Sequence, residues 1–158
     1  GRVDEYSSAK KPLFGKNGIY SGELISPQSK DFTSDENLFN YQAKIIKKLA
    51  EQDESCIIVG RCADHVLRDF PNKFDFFIHG SIEDRVKRVQ TCGDYVIEGK
   101  TPEAALEKMD KQRSTYYNYY TGKVWGKCDH YDLCINAGRL GVEYSTDIIL
   151  EYINRLKK

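Results

Sequence analysis

Six charged residues stand in patterns that suit the binding of an oxyanion. Arg61 follows Gly60 at the end of a short apolar run, and Asp64 lies three positions further on. Arg85 and Arg88 are spaced i, i+3, and so are Asp110 and Arg113. A guanidinium is a planar fork of donors that bonds two oxygens of a phosphate or carboxylate at once. Arg61 is the best placed of the four arginines, because ligands of parallel α/β sheets bind at the carboxyl ends of strands. The other two pairs also fit a solvated helix face or an ordinary i, i+3 salt bridge, and spacing alone leaves both readings open.

Other chemistries find less support. The five cysteines form no Cys-x-x-Cys pair and are spaced too widely for a zinc site, so no metal site is assigned. Reduced, buried thiols of a cytoplasmic protein are the simpler expectation. His65, His79 and His130 have no partner pattern. Gly15-Lys16-Asn17-Gly18 lacks the spacing and flanks of a phosphate loop and reads as turn chemistry. Equal numbers of basic and acidic residues, 24 of each, argue against bulk nucleic-acid binding. No apolar run approaches membrane length. Tyr116 and Tyr120 share one helix face and Tyr117 lies on another, so one set is core and a ligand contact from any of them stays open. Trp125 is a hinge or an anchor.

The elements that would position these residues alternate. Residues 1–34 carry glycines, prolines and serines without periodicity and read as an irregular loop segment. Thr33-Ser34-Asp35-Glu36 has capping-box spacing. The helix it opens runs to about 52, with Leu38, Tyr41, Ile45 and Leu49 as its inward face. Short apolar runs at 56–59 and 74–78 are rich in β-branched or aromatic residues and end near Gly60 and Gly80, which predicts strands. A helix over about 62–68 separates them. Ser81-Ile82-Glu83-Asp84 caps another, with Ile82, Val86 and Val89 inward. A polar connector follows at 91–100. Thr101-Pro102-Glu103 starts a helix that reaches about Tyr120. A third strand spans 131–136, a loop 137–141, and a last helix 142–156 with Tyr144, Ile148, Ile149 and Tyr152 inward. Strands alternating with helices predict an α/β fold, a three-layer α/β/α arrangement around a parallel sheet.

From Ile57 onward the chain resembles the cytidylate kinase-like family of P-loop nucleoside monophosphate kinases. The resemblance rests on Gly60-Arg61-Cys62-Ala63-Asp64, on the stretch from Phe76 to Arg88, on Asp110-Lys111-Gln112-Arg113, and on Tyr131 through Leu140. It also includes the run Tyr116-Tyr117-Asn118-Tyr119-Tyr120. The family's first strand, its P-loop and the following helix have no counterpart here. Leu106 and Cys62 replace an arginine and an aspartate of cytidylate kinases proper, which departs from cytidine specificity.

The resemblance implies an acceptor-side region at 1–34 and a core over 35–158 with a helical lid at about 85–126. It implies a kinase that transfers the γ-phosphate of ATP, with Mg2+, to a nucleoside monophosphate such as CMP. Arg61 would hold the acceptor phosphate, with Asp64 orienting it. Arg85, Arg88 and Arg113 would serve the transferring group as catalytic residues. Asp110 would bond the acceptor's sugar or orient Arg113, and Asn136, Gly138 and Leu140 would line the adenine pocket. The alternative is a non-catalytic interaction or regulatory module of the same shape. A single-stranded RNA binder stacking bases on the tyrosines is a third reading, disfavoured by zero net charge. Oligomeric state is left open.

Overall fold

The computed structural model describes residues 23–52, 54–92 and 101–156. The turn expected at Gly15–Gly18 and most of the connector at 91–100 lie outside the described residues. The chain forms two compact units. One comprises Gly1–Lys73 and Gln112–Trp125, the other Phe74–Lys111 and Gly126–Lys158.

In the first unit, helix α1 spans Asp35–Ala50. Its N-cap is Ser34, one residue later than the capping-box spacing suggests. The Ser34 hydroxyl accepts from the Asn37 N–H at 3.3 Å. Asp35 and Glu36 in the first turn and Lys47 and Lys48 in the last complement the helix dipole. The buried face differs from the expected one. Phe39, Ala43 and Ile46 enter the core, whereas Ile45 is 59% exposed and Leu38 and Leu49 are also exposed. The reason is the partner. Phe39 stacks on Tyr120 with centroids 4.0 Å apart and planes 7° apart, so the tyrosine-bearing helix selects this stripe. Cys62, Val66, Leu67 and Tyr117 complete the cluster.

Two asparagines on the same face are buried and bonded to the irregular segment before the helix. The Ile25 N–H donates to Asn37 Oδ1 at 2.8 Å, and Asn37 Nδ2 donates to the Phe32 carbonyl at 2.7 Å. Asn40 Nδ2 donates to the Glu23 carbonyl at 2.8 Å. Buried amides need such partners, and here they pin a stretch that has no ladder of its own.

The strand expected at 56–59 does not form. Among the described residues the only sheet has two strands, and neither includes this run. The run is extended, with Ile58 packed on the core cluster, but Ile57 is 95% and Val59 87% exposed. A strand exists only through its pairing, and no described segment pairs with this one. The helix expected after it shortens to a single turn, α2, at Ala63–Val66.

In the second unit, strands β1 (Phe76–His79) and β2 (Leu133–Asn136) pair in parallel. The register sets Phe76 against Leu133 and His79 against Asn136, so both strands end together. Asp75 and Asp132 clamp the entry: the Asp132 N–H donates to the Asp75 carbonyl at 2.8 Å, and the Asp75 N–H to Asp132 Oδ2 at 2.6 Å. Parallel strands need a crossover between them. Helix α3 (Ile82–Cys92) and the first half of helix α4 (Pro102–Thr121) lie on that path. The start of α4 is the expected one, with the Ala104 N–H donating to the Thr101 hydroxyl at 3.4 Å.

After β2 the expected loop is a one-turn helix, α5 (Ala137–Leu140), and α6 occupies Val142–Leu156. Tyr152 of α6 meets Phe74 and Phe76 edge-on, but Tyr144, expected inward, is exposed. The chain is therefore a mixed α/β protein with a small parallel sheet among helices.

One glycine in this unit has no substitute. Gly126 has φ +75°, and a Cβ there would stand 2.9 Å from Cζ of Phe77. Gly126→Ala is expected to cost about 1–2 kcal/mol from the left-handed backbone alone, with the ring displacement added. Urea unfolding checks this: the midpoint should fall while the slope stays unchanged.

Candidate functional site

Arg61 sits in a backbone turn of unusual strain. Gly60, Arg61 and Cys62 have φ of 70°, 55° and 55°, three left-handed residues in succession, and the last two are not glycine. Each such residue costs about 1–2 kcal/mol and persists only where its surroundings over-determine it. The turn delivers the chain into α2. The Ala63 N–H donates to the Gly60 carbonyl at 3.1 Å, and the His65 and Val66 N–H groups donate to the Cys62 carbonyl at 3.0 and 2.9 Å.

The second half of α4 supports this turn from the side. Tyr117 Oη donates to Asp64 Oδ2 at 2.6 Å. The Tyr116 hydroxyl donates to Gln42 Oε1 of α1 at 3.2 Å. Tyr119 Oη donates to Glu36 Oε1 at 3.2 Å. Burial pushes the Tyr116 hydroxyl up to about 12, with the Arg61 charge opposing. That keeps it a neutral donor across the physiological range. The sequence singled out Arg61 and Asp64, but the contacts of Gln42 with Tyr116 and of Tyr117 with Asp64 were not legible in it. A run of four tyrosines in five positions was the available signal.

Cys62 is buried beneath the turn, and burial together with the Asp64 carboxylate raises its thiol to about 12. Thiolates, not thiols, react with alkylating agents. At pH 8, iodoacetamide is expected to label the exposed Cys56, Cys92 and Cys128 and to leave Cys62 untouched until the chain is denatured. Peptide mass mapping reads the order of labelling.

The second unit gathers its own set at the carboxyl ends of β1 and β2. Arg85 forks onto Asp110, with Nη1 to Oδ2 at 2.6 Å and Nη2 to Oδ1 at 3.0 Å. Their side chains are 28% and 29% exposed, so the pair is only partly screened by solvent. Ser81 Oγ accepts from the Asp84 N–H at 3.2 Å and donates to Asp84 Oδ2 at 2.9 Å. The Asp84 side chain lies over Gly138, where a Cβ would come within 2.9 Å of Asp84 Cβ. Gly80 also approaches Gly138 closely, a built Cβ standing 3.4 Å from the Gly138 nitrogen. Asn136 Oδ1 caps α5 by accepting from the Arg139 N–H at 3.3 Å, and Leu140 is exposed. Asn136, Gly138 and Leu140 thus share one turn, with Asp84 filling the space above its glycine.

Arg88 is exposed on α3 and Arg113 is exposed on α4. Arg113 belongs with Arg61 and Asp64 to the first unit, whereas Arg85, Arg88, Asp110, Asn136, Gly138 and Leu140 belong to the second. Among the described residues no group of three or more His, Cys, Asp or Glu residues is arranged to hold a metal ion. No described helix is long and apolar enough to cross a membrane.

No curated protein matches the chain. Among solved structures, a crystal structure of an uncharacterized protein from Eubacterium ventriosum ATCC 27560 is similar. It is 38% identical, the match covers 78% of this chain and 69% of that chain, and the TM-score is 0.66. The profile of the cytidylate kinase-like family matches residues 2–139, a span that holds every candidate residue named above except Leu140. By that match the chain belongs to the cytidylate kinase-like family.

Proposed function

We propose that this chain serves as a small-molecule kinase that moves the γ-phosphate of ATP to a nucleoside monophosphate such as CMP. The observation that carries the reading is the strained turn at Gly60-Arg61-Cys62, two of whose left-handed residues are not glycine. Strain of this kind is kept where a side chain must be held for a ligand. Phosphoryl transfer asks for position and neutralised charge, which guanidiniums supply. In this reading Arg61 grips the acceptor phosphate and Asp64 fixes the loop that carries it. Arg85, Arg88 and Arg113 serve the transferring group from the segment at about 85–126, and residues 1–34 serve the acceptor side. Asp110 holds Arg85 in place. Asn136, Gly138 and Leu140 face the adenine of ATP.

ATP would bring Mg2+ bound to its own phosphates, since this ion keeps most of its waters and needs few protein ligands. The sequence contains no Gly-x-x-x-x-Gly-Lys-Ser/Thr motif, so the β,γ-phosphate cradle is not supplied by these 158 residues in that form. The protein works in the cytoplasm and acts on free nucleotides rather than on nucleic acid or membrane.

The test is a coupled assay on the product of the complete reading frame, with Mg-ATP and each nucleoside monophosphate in turn. Turnover of one acceptor supports the proposal, and silence with all of them overturns it. A second reading, a kinase-like module that binds without transferring, draws on the exposed Ile57 and Val59. Nucleotide binding without turnover in the same experiment selects it.

A further inference from the structure

One tyrosine of α4 has no part in the kinase reading as stated, yet it holds the turn that carries it. Tyr117 is buried, and its hydroxyl holds Asp64 Oδ2 at 2.6 Å. Asp64 lies in the first turn of α2, two residues past the left-handed Cys62. The neighbouring Tyr116 hydroxyl donates to Gln42 of α1 at 3.2 Å, which ties the same stretch of α4 to α1. The thiol side of the same turn is fixed by burial of Cys62 in the core cluster. The turn is therefore held at two points, at the Cys62 side chain and at the Asp64 carboxylate.

Such bracing has a specific use. Left to itself, a backbone with two left-handed non-glycine residues relaxes to φ below zero. Relaxation would swing the Arg61 side chain away from its present direction. A hydrogen bond from a buried phenol to a carboxylate is short, charge-assisted and directional. The core burial of Cys62 fixes the loop's position, and the Tyr117 hydroxyl fixes its orientation.

We propose that Tyr117 is a positioning residue for acceptor binding, setting the direction of the Arg61 guanidinium toward an acceptor monophosphate. The proposal rests on the kinase reading for the identity of the ligand. The bracing itself stands on the geometry alone. Tyr117 acts through Asp64 and the turn and does not need to touch the transferring phosphate.

The experiment uses Tyr117→Phe, which keeps the ring and removes one hydroxyl, and Asp64→Asn, which keeps the shape of the acceptor and removes its charge. Both are made in the product of the complete reading frame. Amide hydrogen exchange is read at His65 and Val66, whose N–H groups bond the Cys62 carbonyl. Loss of one charge-assisted bond should speed exchange there by about tenfold while α1 amides keep their protection. In the coupled assay the KM for the monophosphate should rise by about tenfold, with the KM for ATP unchanged. Rescue distinguishes the two partners: Asp64→Asn still accepts from Tyr117 and should lose less than Tyr117→Phe.

Unchanged exchange at His65 and Val66 overturns the bracing. Faster exchange with an unmoved acceptor KM overturns the link to acceptor binding. A wild-type enzyme that turns over no monophosphate overturns the kinase reading, and with it the acceptor role of Tyr117. The exchange result still decides whether Tyr117 holds the turn. A global loss of stability would speed exchange at α1 as well, and that outcome counts against a positioning role.

Discussion

Arg61→Ala is expected to lower kcat/KM for the acceptor by about 100- to 1,000-fold, the range seen when one preorganised donor to a developing or bound oxyanion is removed. The loss should fall on the acceptor rather than on ATP. Arg61→Lys is the sharper variant. It keeps the charge but loses the fork, and an ammonium cannot reproduce two parallel bonds to one phosphate. It should therefore recover only a small part of the loss. Both variants should unfold close to the wild-type temperature, because Ala and Lys leave the buried Cys62 beneath the turn in place. A wild-type acceptor KM in Arg61→Ala would remove Arg61 from the binding site altogether.

The largest effect on stability is expected from Phe39→Ala. The side chain is 1% exposed and lies flat on Tyr120 at 4.0 Å. Truncating a buried phenylalanine costs about 3–5 kcal/mol through lost transfer energy and the cavity left behind. For a chain of this size that lowers the melting temperature by roughly 10 °C. Ile45→Ala on the same helix is the control. At 59% exposed it should change stability by no more than about 0.5 kcal/mol. Thermal melts followed by circular dichroism compare the two. Equal losses would mean that the stripe at Leu38, Ile45 and Leu49 is buried after all.

That contrast also marks where sequence reading succeeded and where it stopped. The bounds of α6 and the start of α4 were legible, because a period of 3.6 and a Thr-Pro start are local signals. The buried face of α1 was not. Two apolar stripes compete on that helix, and the tyrosines that choose between them lie on α4, about 80 residues away by the spacing of Phe39 and Tyr120. The run at 56–59 has strand composition, but composition does not provide a neighbour to pair with. In the candidate site, the arginines stood out through their motifs, whereas the bond from Tyr117 to Asp64 joins residues 53 positions apart. Nothing in the local pattern of either residue announces the other.

The buried asparagines of α1 have a consequence for how the first unit opens. Residues 23–34 contain no helix or strand, and such a segment would ordinarily exchange its amides and meet proteases early. Here opening must strip the Glu23 and Phe32 carbonyls and the Ile25 N–H from Asn37 and Asn40, leaving amide groups stranded inside the protein. The segment and the amino-terminal half of α1 are thus expected to open as one cooperative unit, the irregular stretch sharing the protection of the helix and a cut within it loosening the helix in turn.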